Sequence, residues 1–274
     1  MPEGDTIHRI AASLGPRLTG KRLERVTTQG LVRNVAGATV TSVAAHGKHL
    51  VIELDSGAYL RAHLGMNGRF RAYDRAYGEA LLARMSPGRA SLALTTHDAV
   101  YVWIGAPTIE VSHRRKPLHG SAVAALGPDV LADDFDARAA ATRAAEHGGR
   151  IVADVLLDQR VVAGIGNIYK SESLFAAGVD PRARVAQLTP AALEAIYAAA
   201  HERMKSSVAA GAPAPGERAR VTPQNAAVRN AAAHAVYSRT GQPCPRCGTA
   251  IACYQLGDPP RWTWSCPRYQ PPST

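Results

Sequence analysis

The sequence predicts an α+β protein in which a largely β-structured region, a helical region and a small cysteine-containing hairpin follow one another. Alternating apolar and polar residues dominate roughly the first 120 positions. The chain beyond them is rich in alanine, with apolar residues at helical spacing. All four cysteines fall between positions 244 and 266. A chain of 274 residues is long enough for two domains with cores of their own.

The first predicted element is a helix from Thr6 to Leu18 with a cap at its start. Its apolar stripe consists of Ile7, Ile10, Ala11, Leu14 and Leu18. Gly15-Pro16 is expected to end or kink this helix near Leu14, because proline lacks a backbone N–H and its ring collides with the preceding turn.

Antiparallel strand pairs are predicted next. Residues 50–54 and 58–64 alternate in polarity on either side of Asp55-Ser56-Gly57, and Ser91–Leu94 and Val100–Ile104 flank Thr96-His97-Asp98 in the same way. This part of the chain therefore reads as mostly β-structure with one leading helix.

Helices are predicted after the linker-like residues Gly127-Pro128-Asp129. They cover Asp136–His147, Ile151–Asp158 and a longer stretch that starts with Thr189 as N-cap and Pro190 in the first turn. The apolar face of that last helix consists of Leu193, Ile196, Tyr197, Ala200 and Met204. Gly211–Gly216 contains two prolines and is expected to form a loop. Two domains of different secondary structure imply a cleft between them, which is a common place for a site.

The charge of the chain favours a polyanionic partner. Lys and Arg number 32 against 22 Asp and Glu, which gives a formal net charge of +10, and residues His113–Pro117 are a basic cluster. Nucleic acid is the leading candidate, although a basic protein without such a partner is the alternative. No membrane partner is expected, because no apolar run approaches a membrane span and no basic amphipathic helix stands out. Without a leader-like N-terminus, the expected location is the cytoplasm.

Pro2 and Glu3 are the first candidates for catalysis. Removal of the start Met would leave Pro2 with a secondary α-amine, and a reference pKa of about 7.7–8.0 keeps much of such an amine neutral and nucleophilic near pH 7. Amines attack electrophilic carbons to form Schiff bases, and the Glu3 carboxyl beside it can transfer protons. Alternatively, proline at this position serves only to allow removal of the Met.

A glycine-rich segment at Ala163–Tyr169 is the second candidate. It is expected to join two helices, with Asn167 as the N-cap of the second. Backbone N–H groups at a helix start, its positive dipole end and close approach through glycine together predict a phosphate site. The spacing differs from a dinucleotide-binding fingerprint, since no strand precedes it. A capped corner between helices without a ligand is the alternative.

Cysteines near the C-terminus predict a zinc ribbon. Cys244-Pro-Arg-Cys247 and Cys266-Pro-Arg-Tyr269 have the form of two knuckles, with strands expected over Ile251–Tyr254 and Arg261–Ser265. Disulfides are not expected, because the cysteines are clustered and a reducing compartment disfavours them.

The ligand set of this ribbon departs from four cysteines in the two knuckles. Tyr269 stands where the fourth Cys is expected, and a phenol with a reference pKa near 10 is a poor zinc ligand. Cys253 is the candidate substitute, because its strand is expected to run beside the strand that leads to Cys266. One structural zinc held by Cys244, Cys247, Cys253 and Cys266 is therefore predicted, and a metal-free β-hairpin is the alternative.

Three motifs together resemble the formamidopyrimidine-DNA glycosylase and endonuclease VIII family. They are Met1–Thr6, Gly164–Tyr169 and the cysteine hairpin with Arg261 and Thr263, in the same order as in that family. The resemblance covers essentially the whole chain. The Glu-Gly start is similar to the endonuclease VIII branch, because the Pro-Glu-Leu-Pro-Glu start usual in the other branch is absent.

The resemblance implies a fold and an activity. The implied fold is an N-terminal helix plus β-sandwich over residues 1–125, a linker at 126–135, a helix–two-turn–helix domain over 136–235 and a zinc-ribbon hairpin over 236–274. The implied activity is removal of oxidised bases from DNA, followed by cutting of the strand at the abasic site.

The resemblance also implies a role for each site residue. Pro2 is the nucleophile on the anomeric carbon of the sugar, and Glu3 transfers protons. Lys48, in the turn before the first strong strand, contacts phosphate and supports elimination, although it also reads as a solvated turn lysine. Asn167 holds the phosphate beside the lesion, and Arg261 grips the same phosphates and assists elimination.

Met66 matches the family's wedge residue, which fills the gap left by a flipped base. Its neighbours Gly65 and Asn67 differ from the bulkier or charged companions that are common in the family. A core methionine is the alternative, but Gly65 and Gly68 favour the tip of a loop.

The sequence thus predicts a bifunctional DNA glycosylase and abasic-site lyase that removes oxidised pyrimidines through a Pro2 Schiff base and β/δ-elimination, with no redox cofactor. Its expected partner is double-stranded DNA with an oxidised base or an abasic site, and single-stranded or bubble DNA are further candidates. A monomer associated with the bacterial nucleoid is expected. The alternatives are an 8-oxoguanine or formamidopyrimidine glycosylase, a non-catalytic binder of damaged DNA, and a zinc-ribbon DNA-binding module without lesion preference.

Overall fold

The computed structural model describes residues 2–112, 123–211 and 234–272. The basic cluster at 113–117 and residues 212–216 of the expected loop lie outside these ranges. The described strands are β1 (Arg25–Thr28), β2 (Leu31–Val32), β3 (Val40–His46), β4 (His49–Leu54), β5 (Tyr59–His63), β6 (Arg69–Asp74), β7 (Ala90–Thr95), β8 (Ala99–Ile104), β9 (Thr108–Ser112), β10 (Ala252–Leu256) and β11 (Arg261–Ser265). The described α-helices are α1 (Gly4–Leu18), α2 (Arg75–Arg84), α3 (Ala137–Ala145), α4 (Val152–Leu157), α5 (Asn167–Ala176) and α6 (Pro190–Gly211), and a 3-10 turn covers Val185–Gln187.

The chain divides into two compact units. The first contains Pro2 and Thr6–Ala124, and the second contains Glu3–Asp5, Ala125–Ala210 and the C-terminal segment. The finer division into four segments stays a prediction, as does the cleft between domains.

A β-sandwich, α2 and α1 from Thr6 onward make up most of the described part of the first unit. One sheet has the strand order β2-β1-β7-β8-β6 and the other has the order β3-β4-β5-β9. Both expected hairpins form, with Ile52 paired to Leu60 and Leu94 paired to Tyr101. One buried apolar cluster takes side chains from α1 and from both sheets, and burial of this surface holds the layers together.

Helix α1 corrects one prediction. It starts at Gly4 and continues through Pro16 to Leu18, so the helix does not end near Leu14. Leu14 and Leu18 are both fully buried in the core. We attribute the extra turn to this tertiary packing, which routinely overrides local propensity.

Helices α3 to α6 build the main core of the second unit. Asp136 caps α3 by accepting from the N–H of Arg138 (2.8 Å) and of Ala139 (3.2 Å). Thr189 accepts from the N–H of Ala192 (3.2 Å) at the start of α6, and all five residues of the predicted apolar face are buried. The three predicted helices are therefore present, within a few residues of their expected ends.

Strands β10 and β11 form the predicted C-terminal hairpin, with Leu256 paired to Arg261 and Ala252 paired to Ser265. Its base joins a small apolar cluster with Phe175 and Val236. The fold class predicted from the sequence is confirmed. In the described ranges, no helix has the length and apolar character that crossing a membrane requires.

Candidate functional site

Glu3 lies at the N-terminus of α5, within the second unit. Its carboxylate accepts from the backbone N–H of Gly166 (3.0 Å), Ile168 (2.7 Å) and Tyr169 (3.3 Å). These groups were expected to cradle a phosphate, so that prediction is wrong: the chain's own carboxylate is their acceptor. Asn167 is also not the N-cap, because α5 has Gly166 at that position and the distant Glu3 satisfies its N–H groups.

Two glycines allow this close approach. A Cβ at Gly166 would lie 2.4 Å from Cδ of Glu3, so a side chain there would displace the carboxylate. The N–H of Gly4 donates to the carbonyl of Gly164 (3.0 Å), and a Cβ at Gly4 would lie 2.9 Å from Cα of Gly164. The glycines of both sequence motifs are therefore explained by one contact between them.

The surroundings of Glu3 stabilise a negative charge. Glu3 is only 1% exposed, and three N–H donors and the positive end of the α5 dipole face its oxygens. A buried carboxylate that is bonded in this way is suited to stabilise a developing positive charge.

Asp5 and Tyr169 form a second polar contact beside Glu3. The Tyr169 hydroxyl (2.9 Å) and the Ser207 hydroxyl (2.7 Å) both donate to Oδ2 of Asp5. Burial, followed by the nearby charge of Asp5, raises the pKa of Tyr169. The phenol therefore stays protonated and acts as a donor. Sequence reasoning assigned no role to either residue.

Lys170, for which the sequence predicted no role, connects the Asn167 side chain to the β11 backbone next to Arg261. The Asn167 amide nitrogen donates to the carbonyl of Trp262 (2.8 Å), next to Arg261 in β11. The Lys170 ammonium donates to Oδ1 of Asn167 (2.7 Å), and Arg261 is exposed at the first position of the strand. A buried lysine at this helical position gives no local sequence signal, because surface lysines occupy the same position.

Lys48 lies in the tight turn between β3 and β4, in the first unit. His46 pairs with His49 across the turn, and Gly47 has a φ of 56°. Glycine supplies this left-handed conformation at the first position of a two-residue hairpin turn without strain. The backbone of the hairpin therefore determines where Lys48 projects.

Histidines and an arginine surround Lys48. Burial, followed by the charges of His63 and Arg61, lowers the pKa of His49 to about 4. Burial, followed by the charges of Lys48 and Arg61, lowers the pKa of His63. Arg61 itself is paired with Glu110 (2.8 Å). Both imidazoles are therefore neutral at pH 7, and the positive charge near this turn rests on Lys48 and Arg61.

Met66 lies in the turn between β5 and β6. It is 65% exposed, so it is not a core methionine. Gly65 has a φ of 59°, and a Cβ at Gly68 would lie 2.2 Å from the carbonyl oxygen of Leu64. Both flanking glycines are thus required by the turn that presents the Met66 side chain to solvent.

Three cysteines can share one metal ion. The Sγ atoms of Cys244, Cys247 and Cys266 all lie within 4.8 Å of one another. Thiolates at such distances suit Zn²⁺. The centroids of the Tyr269 and Phe175 rings lie 5.0 Å apart, and the Arg246 guanidinium carbon lies over the Tyr269 ring, 5.9 Å from its centroid. The knuckle that lacks its second cysteine is therefore held by aromatic packing.

Cys253 is not a member of this cluster, which corrects the predicted ligand set. It lies within β10 opposite Trp264, two residues before Cys266. Pairing of β10 with β11 does not by itself bring Cys253 to the metal site, because a ligand must also lie at the end of the strand where the other three cysteines are. Of the four predicted ligands, the structure brings three together.

The predicted site residues thus fall into two groups. Glu3, Asn167 and Arg261 belong to the second unit, where α5 connects them. Pro2, Lys48 and Met66 belong to the first unit. Cationic side chains and an exposed apolar side chain at a turn are features of a protein that acts on DNA.

Comparison with known proteins places the chain in a family. Residues 1–103 match the formamidopyrimidine-DNA glycosylase N-terminal domain, and residues 126–216 match the formamidopyrimidine-DNA glycosylase H2TH domain. The DNA-(apurinic or apyrimidinic site) lyase Nei2 of Mycolicibacterium smegmatis is 34% identical, with 97% of this chain and 98% of the relative covered. The formamidopyrimidine-DNA glycosylase of Paracoccus denitrificans is 30% identical, with 98% and 100% covered.

A solved structure has the same fold. The Lactococcus lactis formamidopyrimidine-DNA glycosylase, in a complex with DNA that contains N7-benzyl-Fapy-dG, superimposes with a TM-score of 0.82 at 22% identity, covering 99% of this chain and 100% of that one. The chain therefore belongs to the formamidopyrimidine-DNA glycosylase and endonuclease VIII family, a family of DNA-repair glycosylases and abasic-site lyases.

Proposed function

We propose that this protein is a bifunctional DNA glycosylase and abasic-site lyase of base excision repair that acts through a Schiff base on Pro2. The observation that carries the proposal is the placement of Glu3. Its carboxylate is fixed at the α5 N-terminus, one residue after the candidate nucleophile. A protein that only binds damaged DNA would have no need of a free N-terminal proline amine beside this carboxylate.

The first half of the reaction removes the base. After loss of Met1, the neutral Pro2 amine attacks C1′ of a nucleotide that has left the base stack. The bond from C1′ to the base breaks, and the base departs with the bonding electrons and gains a proton. The amine, the sugar ring oxygen and Glu3 exchange the remaining protons, and the product is a ring-opened iminium.

The second half of the reaction cuts the strand. The iminium withdraws electrons, so a C2′ proton is acidic enough to pass to a base. We assign Glu3 to this step, because its carboxylate is fixed one residue after the candidate nucleophile. Loss of the C2′ proton expels the 3′ phosphate, and a second elimination expels the 5′ phosphate. Phosphates then remain at both ends of the gap.

The DNA backbone would be held by Asn167 and Arg261 of the second unit and by Lys48 of the first. All three present polar hydrogens to phosphate, which supplies affinity and register without reading sequence. The exposed Met66 would fill the space of the extruded nucleotide, in the manner of apolar wedge residues. Duplex DNA with a damaged base or an abasic site is therefore the proposed partner.

A structural zinc ion bound by Cys244, Cys247 and Cys266 is also proposed. When bound, zinc would fix the knuckles of the hairpin that carries Arg261. The three thiols would supply three of the four ligands that are usual in a structural zinc site, and the Tyr269 ring packs against Phe175.

Oxidised pyrimidines are the proposed lesions, on the basis of the Glu-Gly start and the similarity to the Nei2 relative. A formamidopyrimidine or 8-oxoguanine glycosylase is the second candidate, since relatives of that name are also 30% identical. Rates on otherwise identical duplexes with 5-hydroxyuracil or 8-oxoguanine separate the two. Faster release of 8-oxoguanine would favour the second.

Borohydride trapping on an abasic-site duplex tests the reaction. We expect a covalent complex that maps to Pro2 by peptide mass, and slower trapping and strand cutting in Pro2→Gly, which exchanges the secondary amine for a primary one. The matched control is Pro87→Gly, at an exposed turn outside the site. Mass measurement of the intact chains verifies removal of Met1. A covalent complex that maps to another residue of the wild type would exclude the mechanism, and duplex binding without trapping would favour a damage-binding protein.

A further inference from the structure

Lys170 is a buried charge for which the proposed chemistry has no use. It lies in the first turn of α5 and is 1% exposed, although its positive charge would cost far less free energy at the surface. Lysine is almost never fully buried unless it is paired. Such a position therefore requires a specific set of acceptors.

The Lys170 ammonium has three acceptors. It donates to Oδ1 of Asn167 (2.7 Å), to Oγ1 of Thr263 (2.7 Å) and to the carbonyl of Trp262 (3.3 Å). The Thr263 hydroxyl in turn donates to the carbonyl of Arg261 (3.1 Å). An ammonium has three N–H donors, so this set uses all of them. Lys170 thus connects the Asn167 side chain to the backbone at Arg261.

These contacts permit one orientation of the Asn167 amide. An ammonium can only donate, so the atom that faces it must be Oδ1. The Trp262 carbonyl can only accept, and it receives one N–H of the amide nitrogen (2.8 Å). The other N–H of the same nitrogen is then the donor that an incoming phosphate oxygen can use.

We propose that Lys170 is a positioning residue for phosphate binding, which orients the Asn167 amide and ties the β11 backbone at Arg261 to α5. This inference rests on the proposed function, which assigns Asn167 and Arg261 to the DNA phosphates. Lys170 itself is buried and reaches phosphate only through these neighbours.

The charge of Lys170 adds a readout that simple packing would not give. Burial lowers its pKa to about 8, against the opposing effects of Glu3, Asp154 and Cys253, while Arg261 acts in the same direction as burial. As pH rises through this value, Lys170 loses its charge and one of its three donors. We therefore expect phosphate affinity to fall in the same interval.

The test uses a duplex that contains tetrahydrofuran, an uncleavable abasic analogue, so that affinity is measured without reaction. Lys170→Met removes both donor and charge, and Lys170→Gln keeps a donor without the charge. The control is Lys205→Met, an exposed residue of α6, which removes the same charge from the surface. Dissociation constants are measured from pH 6.5 to 9.5 at one fixed salt concentration.

We expect Lys170→Met to bind about 10-fold to 100-fold more weakly than Lys205→Met at pH 6.5, as befits a lost hydrogen bond to a charged group. The fall in its affinity near pH 8 should also be smaller than the fall expected of Lys205→Met. Lys170→Gln should recover part of the affinity and none of the pH dependence. Should Lys170→Met fail to fold, Thr263→Val removes one acceptor and the tie to Arg261, and is expected to weaken binding in the same direction.

Two failures are distinguishable. A wild type that neither prefers the tetrahydrofuran duplex over intact duplex nor traps at Pro2 contradicts the proposed function, whatever the variants do. A wild type that does both, with Lys170→Met and Thr263→Val each within twofold of Lys205→Met at every pH, overturns the assignment of Lys170.

Discussion

Two carboxylates of the second unit are anchored by the same chemistry. Glu3 accepts from three N–H groups at the start of α5. Glu172, within α5, accepts from the N–H groups of Ala235 (3.0 Å), Val236 (2.9 Å) and Tyr237 (2.9 Å), where the chain approaches the cysteine hairpin. Both side chains are at most 2% exposed. Three backbone donors around a buried carboxylate are therefore no evidence of catalysis by themselves.

Their neighbours separate the two carboxylates. Glu172 has a cationic partner, Arg203, at 3.4 Å. The segment that it bonds, residues 235–237, precedes the cysteine hairpin. Glu3 directly follows the candidate nucleophile in the sequence. Glu3 caps α5, and Asn167 is the first residue of that helix. One carboxylate thus fixes a chain segment, whereas the other is held beside the proposed nucleophile. The neighbouring groups, rather than the three N–H bonds, therefore distinguish the functions of the two buried carboxylates.

Glu3→Gln should have the largest effect. The amide keeps the shape but cannot carry the negative charge or accept the C2′ proton, and general-base catalysis contributes about 100-fold to 10,000-fold. We expect a loss in this range in the single-turnover rate of strand cutting. The rate is measured with saturating enzyme on an abasic-site duplex. A rate within threefold of the wild type would place the proton transfer on another residue.

Glu172→Gln should reverse this pattern. A buried anion with three N–H donors is replaced by a neutral group, and we expect the free energy of unfolding to fall by about 1.5–3 kcal/mol. The single-turnover rate should stay within threefold of the wild type at a temperature where the variant is folded. Urea unfolding and the same cutting assay measure both quantities. A large rate loss in the folded variant would break the distinction between the two carboxylates.

Cysteine variants test the other attachment of the hairpin. We expect Cys266→Ala to lose bound zinc and Cys253→Ala to retain it, because Cys253 lies outside the cluster of three thiols. Metal content of the purified variants is measured by mass spectrometry. Loss of zinc in Cys253→Ala would restore the four-cysteine set predicted from the sequence. Zinc absent from the wild type, in protein prepared with zinc, would favour the metal-free hairpin.

The smallest expected effect lies in the first unit and concerns acid stability. Because the pKa of His49 is about 4 in the folded protein and near 6.5 when unfolded, the unfolded state gains a proton first as the pH falls. Stability should therefore decrease between pH 6.5 and pH 4, by about 1–2 kcal/mol for this partly exposed group. His49→Gln should flatten this interval in urea unfolding, whereas His97→Gln, at an exposed position, should not.

The order of elements was accessible from the sequence because it depends on local patterns. The alternation that predicts β4 and β5, the cap and first-turn proline of α6, and the two glycines beside Met66 are all local signals. They identify strands, helix starts and turns without reference to distant residues. The helix α1 shows the limit, since burial of Leu18 overrides Pro16.

The site was predictable only in part, because its bonds join distant segments. Glu3 was identified from its neighbour Pro2, but nothing local shows that it caps α5. Asn167 was assigned as the cap for the same reason. Lys170 and Glu172 resemble ordinary charged helix residues until the surrounding elements bury them. Cys253 was assigned as a ligand because its strand lies beside the strand that leads to Cys266, but adjacency of two strands does not show how far along the strand a residue lies.

The contact between Glu3 and α5 has a consequence for synthesis and dissection of the chain. The N–H of Tyr169 lies 166 positions after the carboxylate that accepts it. During synthesis, residue 3 leaves the ribosome long before α5 has been made, so Glu3 can cap α5 only after the intervening residues have been added. A fragment that begins at Ala125 would lack the carboxylate that caps α5, so we expect the second unit to be less stable when residues 3–5 are removed.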